Sequence, residues 1–101
     1  MLIVAAEAVV PEGAINEVRD ALREMEEETR KEPGCFTYAF SVDISAPTTL
    51  RIFERWESTD ALAAHFKTPH MAAFSRVIGE IQPESMDLKL YEVAKELPLP
   101  R

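Results

Sequence analysis

Residues 33–44, Pro-Gly-Cys-Phe-Thr-Tyr-Ala-Phe-Ser-Val-Asp-Ile, separate two different hydrophobic periods and so decide the fold. Before them, apolar residues recur at steps of three and four over residues 15–29, which is the spacing of an amphipathic helix. Pro33-Gly34 ends that helix, since proline has no amide hydrogen to donate and glycine readily leaves helical geometry. After the break, apolar residues alternate strictly with small or polar ones, which is the pattern of a β-strand. One face of that strand is predicted to carry Phe36, Tyr38, Phe40, Val42 and Ile44.

Outward from this segment, the same kinds of pattern predict the other elements. Leu2–Val10 is a nearly continuous apolar run that Pro11 ends, which predicts a strand covered on both faces. Ser45–Thr48 predicts a hairpin connection into the next strand. Alternation predicts a strand over Leu50–Glu57 and a last strand from Met86 to about Val93. Capping residues predict the helices between them: one over Asp60–Lys67 after Ser58 or Thr59, and one from Pro69 with Thr68 as its cap.

The order β-α-β-β-α-β is that of the split βαβ, or ferredoxin-like, plan. It predicts an α+β fold with an antiparallel sheet and helices on one face, built as a single domain over residues 1–101. Because the helices cover only one face and Leu2–Val10 has no polar face, the other face is predicted to pack against a second copy. We therefore expect a homodimer related by a two-fold axis.

Composition excludes several classes of function. With 11 Lys plus Arg against 18 Asp plus Glu, the formal net charge is −7, which argues against nucleic acid or an anionic membrane as a partner. The single cysteine, Cys35, excludes an internal disulfide, and the three glycines are too scattered for a phosphate-binding loop. Residues 1–6 lack a basic region and Glu7 interrupts the apolar run, so neither a signal peptide nor a membrane span is expected. We expect a cytoplasmic protein.

Two strings of residues carry a family resemblance. They are Phe53-Glu54-Arg55-Trp56-Glu57-Ser58 and Ala64-His65-Phe66-Lys67-Thr68-Pro69-His70-Met71-Ala72-Ala73-Phe74. Together with Glu32-Pro33-Gly34-Cys35 they resemble the antibiotic biosynthesis monooxygenase family, and in particular its small quinol monooxygenase branch. The resemblance implies a dimeric αβ barrel. It also implies oxygen insertion into electron-rich aromatics such as hydroquinones or anthrones, without metal or flavin.

The residues offer a chemistry that agrees with this implication. Ground-state oxygen reacts poorly with closed-shell molecules, so an enzyme without a cofactor must deprotonate its substrate to an oxygen-reactive anion, and histidine is the natural base. We expect His65 to be the catalytic base, because its spacing from Leu62 and Phe66 puts it at the edge of an apolar stripe. The pocket is expected between the sheet and the two helices that meet at Thr68-Pro69. Its substrate-binding residues are predicted to be Ile52, Trp56, Phe66, His70, Met71 and Phe74, with His70 at the mouth.

Plainer interpretations of the same residues remain open. His65 could serve only to cap the end of a helix, and Trp56 could fill the core as well as contact a ligand. A metal ion shared by His65 and His70 is disfavoured, because their separation across Pro69 does not put them on one helical face. We therefore expect no metal and no cofactor, and a small aromatic substrate with molecular oxygen as the only partners besides a second copy.

The branches of the family also differ at positions that can be compared. The anthrone-oxidising members use an Asn and a Tyr where this chain has Ile52 and Leu62, so only Trp56 matches that constellation. The haem-degrading members use an Asn near the positions of Ala6 and Glu7, which disfavours haem degradation. A branch that isomerises a phosphorylated sugar-like signal keeps similar histidines. Trp56 favours an aromatic ligand and the quinol branch, and the alternative is a non-catalytic small-molecule binder or an isomerase on the same scaffold.

Overall fold

The computed structural model describes residues 1–100, and its elements follow the predicted order β-α-β-β-α-β. They are β1 (Leu2–Val9), α1 (Ala14–Thr29), β2 (Cys35–Asp43), β3 (Ala46–Trp56), α2 (Thr59–His65), α3 (Pro69–Ile81) and β4 (Ser85–Glu92). The four strands form one antiparallel sheet in the order β2-β3-β1-β4. The predicted α+β, ferredoxin-like fold is therefore confirmed.

Capping residues set the boundary between the two short helices. The Ser58 hydroxyl accepts a hydrogen bond from the amide of Ala61 at 3.2 Å and begins α2. The Thr68 hydroxyl accepts one from the amide of Met71 at 3.2 Å and begins α3. The same hydroxyl donates to the carbonyl of His65 at 2.8 Å, so Thr68 joins the end of α2 to the start of α3. Ser58 and Thr68 are both among the predicted caps.

The core lies between the helices and one face of the sheet. One buried cluster packs Leu22 of α1 against Leu50 of β3, and a second packs Met25 of α1 with Trp56 at the end of β3. Trp56 is the most completely buried large side chain, at 0% exposure. These contacts fix α1 across the sheet and leave the region under α2 and α3 to form the site described below.

The hairpin between β2 and β3 is tighter than predicted. The prediction gave Ser45–Thr48 to the connection, whereas β3 already begins at Ala46 and ends at Trp56. Asp43 explains the difference, because one of its carboxylate oxygens accepts from the amide of Ser45 at 2.8 Å and the other pairs with Arg51 at 2.7 Å. A side chain that closes the turn in this way leaves only two residues outside the strands.

The predicted alternation along β2 is wrong at its first residues. The pairing of β2 with β3 shifts between Cys35 and Thr37, which is a β-bulge. Cys35 therefore packs with the buried cluster around Trp56, while Phe36 is 52% exposed and lies near the Arg55 guanidinium, 6.0 Å from the centre of its ring. The sequence predicted the opposite face for each, because a regular period of two cannot show a bulge.

Much apolar surface lies along the edge strand β4. Met86, Leu88 and Leu90 share the side of the sheet that faces the helices, Tyr91 lies on the other side, and all four are more than half exposed. Exposed apolar surface of this kind is typical of protein interfaces. The homodimer stays a prediction. None of the helices in residues 1–100 combines the length and the apolar character that a membrane crossing requires.

We expect light scattering to give a mass of twice the 11.4 kDa of one chain, because the sheet has apolar residues on both faces and helices on only one. The measurement should be repeated over a dilution series down to micromolar protein. A mass of one chain throughout the series would contradict the predicted dimer.

Candidate active site

A cavity of about 260 Å³ lies between the sheet and helices α2 and α3. This is where the pocket was predicted. Its floor is the helix-facing side of β1, with Val4, Ala6 and Ala8, and its walls are almost entirely apolar. An apolar cavity with few polar groups suits a flat hydrophobic ligand. Of the predicted site residues, those that line it are Ile52, His65, Phe66, Met71 and Phe74.

Two predicted site residues do not line the cavity. Trp56 is buried behind the wall, with its ring centre 4.8 Å from that of His65. His70 is not among the lining residues either; its ring centre lies 6.2 Å from that of His65, and its side chain is 20% exposed. Neither residue lines this cavity, and a contact of Trp56 or His70 with substrate stays a prediction.

His65 is held by a carboxylate that the sequence analysis did not single out. Nδ1 of His65 lies 2.7 Å from Oε2 of Glu32, and Nε2 of His70 lies 2.7 Å from the same oxygen. An ionised carboxylate only accepts hydrogen bonds, so each of these nitrogens carries its hydrogen and donates. His65 is 1% exposed and lines the cavity. Its other nitrogen, Nε2, is left with a lone pair that can accept a proton.

The loop between α1 and β2 brings Glu32 to this position. Gly34 has φ +82°, a left-handed conformation that favours glycine, and a Cβ there would lie only 2.7 Å from the Cβ of Ala61 in α2. The carbonyl of Gly34 also accepts a hydrogen bond from the amide of Glu57 at 2.8 Å. The loop therefore packs directly against α2 and β3, which holds Glu32 beside His65.

A second carboxyl group, Glu54, faces the cavity from the sheet. It is buried, and the indole Nε1 of Trp56 donates a hydrogen bond to its Oε1 at 2.8 Å. Burial raises the pKa of Glu54 above its ordinary value, although the bond from Trp56 and the nearby His65 act in the opposite direction. Trp56 thus contacts both His65 and Glu54 from behind the cavity wall.

Tyr38 of β2 also lines the cavity, close to His65. Its ring centre lies 5.5 Å from that of His65, and the residue is 2% exposed. Burial, with a contribution from the charges of Glu54 and Glu32, raises the pKa of Tyr38 well above its usual range, so its phenol stays neutral. A neutral phenol can donate a hydrogen bond to an anion formed in the cavity.

Glu32, Tyr38 and Glu54 are the functional candidates that sequence reasoning missed. For Glu54 a signal existed, because a charged residue between Ile52 and Trp56 falls on an otherwise apolar strand face. Tyr38 gave no signal beyond that of a core aromatic residue. No signal in the sequence distinguished Glu32 from the neighbouring acidic residues of α1, because its position depends on how the following loop folds.

Comparison with known protein sequences identifies relatives. The family model for antibiotic biosynthesis monooxygenases matches residues 1–77. The probable quinol monooxygenase YgiN of Escherichia coli is 41% identical over 56 residues, which cover 48% of this chain and 54% of that protein. An uncharacterised protein of Synechocystis is 32% identical over 69 residues, which cover 68% of this chain and 47% of that protein. The chain thus spans about half the length of these curated relatives.

Solved structures match over nearly the whole chain. A crystal structure of an antibiotic biosynthesis monooxygenase has a TM-score of 0.80 at 31% identity, and the match covers 94% of this chain and 100% of that one. A crystal structure of a Deinococcus radiodurans protein has a TM-score of 0.90 over 100% of both chains, at 22% identity. The second match is evidence for the fold alone, because its sequence identity is low.

Proposed function

The chain belongs to the antibiotic biosynthesis monooxygenase family, and we propose that it is a cofactor-independent monooxygenase. We infer that its substrate is a small electron-rich aromatic molecule of the hydroquinone or anthrone type, and that its oxidant is molecular oxygen. The similarity to YgiN, a probable quinol monooxygenase, supports this choice of substrate class.

The observation that carries the proposal is a buried histidine at an apolar cavity, with a carboxylate bound to its other ring nitrogen. His65 lines the cavity, and Glu32 accepts from its Nδ1 at 2.7 Å. A carboxylate in this position fixes the tautomer that leaves Nε2 free, and it stabilises the imidazolium that forms when Nε2 takes a proton. The apolar walls keep water away from the anion that results.

The chemistry balances without a cofactor. Nε2 of His65 takes the proton of a substrate hydroxyl, and the resulting anion gives electrons to oxygen and forms a carbon–oxygen bond at an adjacent ring carbon. The peroxide anion takes the proton back from Nε2 of His65, which restores the base, and the hydroperoxide then loses water and leaves a carbonyl at that carbon. For a hydroquinone, the sum is hydroquinone plus O2 giving hydroxyquinone plus water, so the substrate loses the four electrons that O2 gains. Tyr38, which lines the same cavity with its ring centre 5.5 Å from that of His65, would donate a hydrogen bond from its neutral phenol to the substrate anion.

We expect metal-stripped protein to consume oxygen with at least one member of a panel of hydroquinones and anthrones. The rate is measured with an oxygen electrode against protein-free autoxidation of the same compound, and 18O2 should label one oxygen of the product. Uptake that never exceeds autoxidation would favour the alternative functions, a non-catalytic binder or an isomerase. An isomerase would convert its substrate without oxygen, and a binder would shift the thermal unfolding temperature without turnover.

A further inference from the structure

The three residues Glu32, His65 and His70 form a compact cluster of metal-ligating side chains. One oxygen and two ring nitrogens of the cluster lie within 4.8 Å of one another. The sequence argued against a shared ion because His65 and His70 lie across Pro69. That reasoning is wrong, because Thr68 joins α2 to α3 and both imidazoles converge on the same oxygen of Glu32.

We propose that this cluster is a binding site for a divalent late transition metal ion of the Zn²⁺ type, and that the bound ion switches off the base. The ligands would be Nδ1 of His65, Nε2 of His70 and a carboxylate oxygen of Glu32. The binding part of the proposal is independent of the proposed function, and the inhibition part rests on it.

The distances require a small rearrangement. The protein ligands of a tetrahedral zinc ion lie about 2.0–2.1 Å from it and hence about 3.3 Å from one another. Both hydrogen bonds to Glu32 measure 2.7 Å and must open, while Glu32 and His70 adjust around an ion bound to Nδ1 of His65. Glu32 and His70 can make this movement by side-chain rotation, since their side chains are 11% and 20% exposed and reach the surface. His65 is fixed by its packing against Trp56, which provides one rigid ligand.

The donor set selects the kind of ion. Two imidazoles and one carboxylate suit Zn²⁺, Co²⁺, Ni²⁺ and Cu²⁺, whereas Mg²⁺ and Ca²⁺ prefer sites made wholly of oxygen. Three protein ligands leave a fourth position for water. The charge of the chain is favourable, because the formal net charge of −7 attracts cations.

Metal binding changes the tautomer of His65. Without metal, Nδ1 of His65 lies 2.7 Å from Oε2 of Glu32, and an ionised carboxylate there requires the hydrogen of this ring on Nδ1. An ion on Nδ1 needs the lone pair there, so the hydrogen must move to Nε2, the nitrogen that would accept the proton of the substrate. A His65 whose Nε2 is already protonated cannot act as a base. The same ion also takes Glu32 away from its role in stabilising the imidazolium.

Titration of metal-stripped wild-type protein with Zn²⁺ by calorimetry tests the binding part. We expect one ion per chain. The dissociation constant should be at least about tenfold larger for Glu32→Gln and for His70→Gln than for the wild type. Mg²⁺ should give no heat, and Glu28→Gln, which changes a half-exposed carboxylate outside the cluster, should bind Zn²⁺ like the wild type. Cu²⁺ should quench the fluorescence of Trp56, the only tryptophan, whose ring lies 4.8 Å from that of His65. The absence of stoichiometric binding, or equal affinity in all variants, would overturn the site.

Two further measurements test the switch. In 15N NMR spectra the His65 hydrogen should move from Nδ1 to Nε2 when Zn²⁺ is added, and this readout needs no activity. The rate of oxygen uptake should fall as Zn²⁺ is added, with a midpoint that matches the dissociation constant found by calorimetry. It should recover when a chelator removes the ion. Binding without a change of tautomer overturns the switch but keeps the site. If the metal-free protein consumes no oxygen with any substrate, the proposed function fails, while calorimetry and NMR still decide the metal site.

Discussion

Replacing His65 with alanine is expected to lower kcat by about 10²–10⁴-fold for any aromatic that supports oxygen uptake, which is the usual contribution of a general base. His65 is buried, lines the cavity and has a carboxylate on Nδ1, which leaves Nε2 as the nitrogen that can accept a proton. Alanine removes the proton acceptor and leaves Glu32 in place. The measurement is steady-state oxygen uptake at saturating substrate over about pH 6–8, the range in which an ordinary histidine titrates.

The controls separate loss of the base from loss of the fold. Lys67→Ala changes an exposed residue of the turn beside His65 and should keep the wild-type turnover. The circular dichroism spectrum and the oligomeric mass of His65→Ala should match those of the wild type. Unchanged turnover of His65→Ala across the pH range would show that the base lies elsewhere or that the substrate ionises unaided. Glu54, the second titratable group of the cavity, would then be the next candidate.

The fold was predictable because each element carries its own periodic signal. The steps of three and four in α1, the alternation in β2 and the caps Ser58 and Thr68 are all local properties of the chain. The errors occur where one residue changes the geometry of a strand pair. A bulge turned Phe36 to the open face, and the Asp43 side chain shortened the hairpin. The bulge and the length of the hairpin both depend on how β2 pairs with β3, and the periodicity along a single strand carries no information about that pairing.

The site was only partly predictable for a similar reason. Residues that follow an apolar stripe, such as Phe74, were placed on the cavity because helix periodicity shows which face is inward. Glu32 was missed because it comes to His65 through a loop whose shape depends on Gly34 fitting against Ala61. Trp56 was placed in the cavity because an aromatic residue on an apolar face suits a ligand and a core equally, and only the packing distinguishes the two.

Replacing Trp56 with alanine is expected to lower the free energy of unfolding by about 3–5 kcal/mol, the usual cost of truncating a buried aromatic residue. The side chain is 0% exposed and packs among Leu2, Met25 and Leu62. This loss is a large part of the about 5–15 kcal/mol that stabilises a typical domain. Urea unfolding followed by far-ultraviolet circular dichroism measures it, because the variant has no tryptophan to report by fluorescence. Protein concentration is held fixed, since a dimer unfolds in a concentration-dependent way.

Trp56→Phe separates packing from the hydrogen bond to Glu54. It keeps an aromatic ring but removes the Nε1–H whose hydrogen bond lowers the pKa of Glu54. Without that bond, the increase in the pKa of Glu54 caused by burial is larger. A carboxyl whose folded-state pKa is raised stabilises the fold below its unfolded pKa, and that contribution disappears as pH rises through the folded value. The destabilisation by Trp56→Phe should therefore be larger at neutral pH than below the ordinary carboxyl range. Phe66→Ala, which truncates a side chain that is 61% exposed, should cost less than Trp56→Ala, and the reverse order would contradict a core role for Trp56.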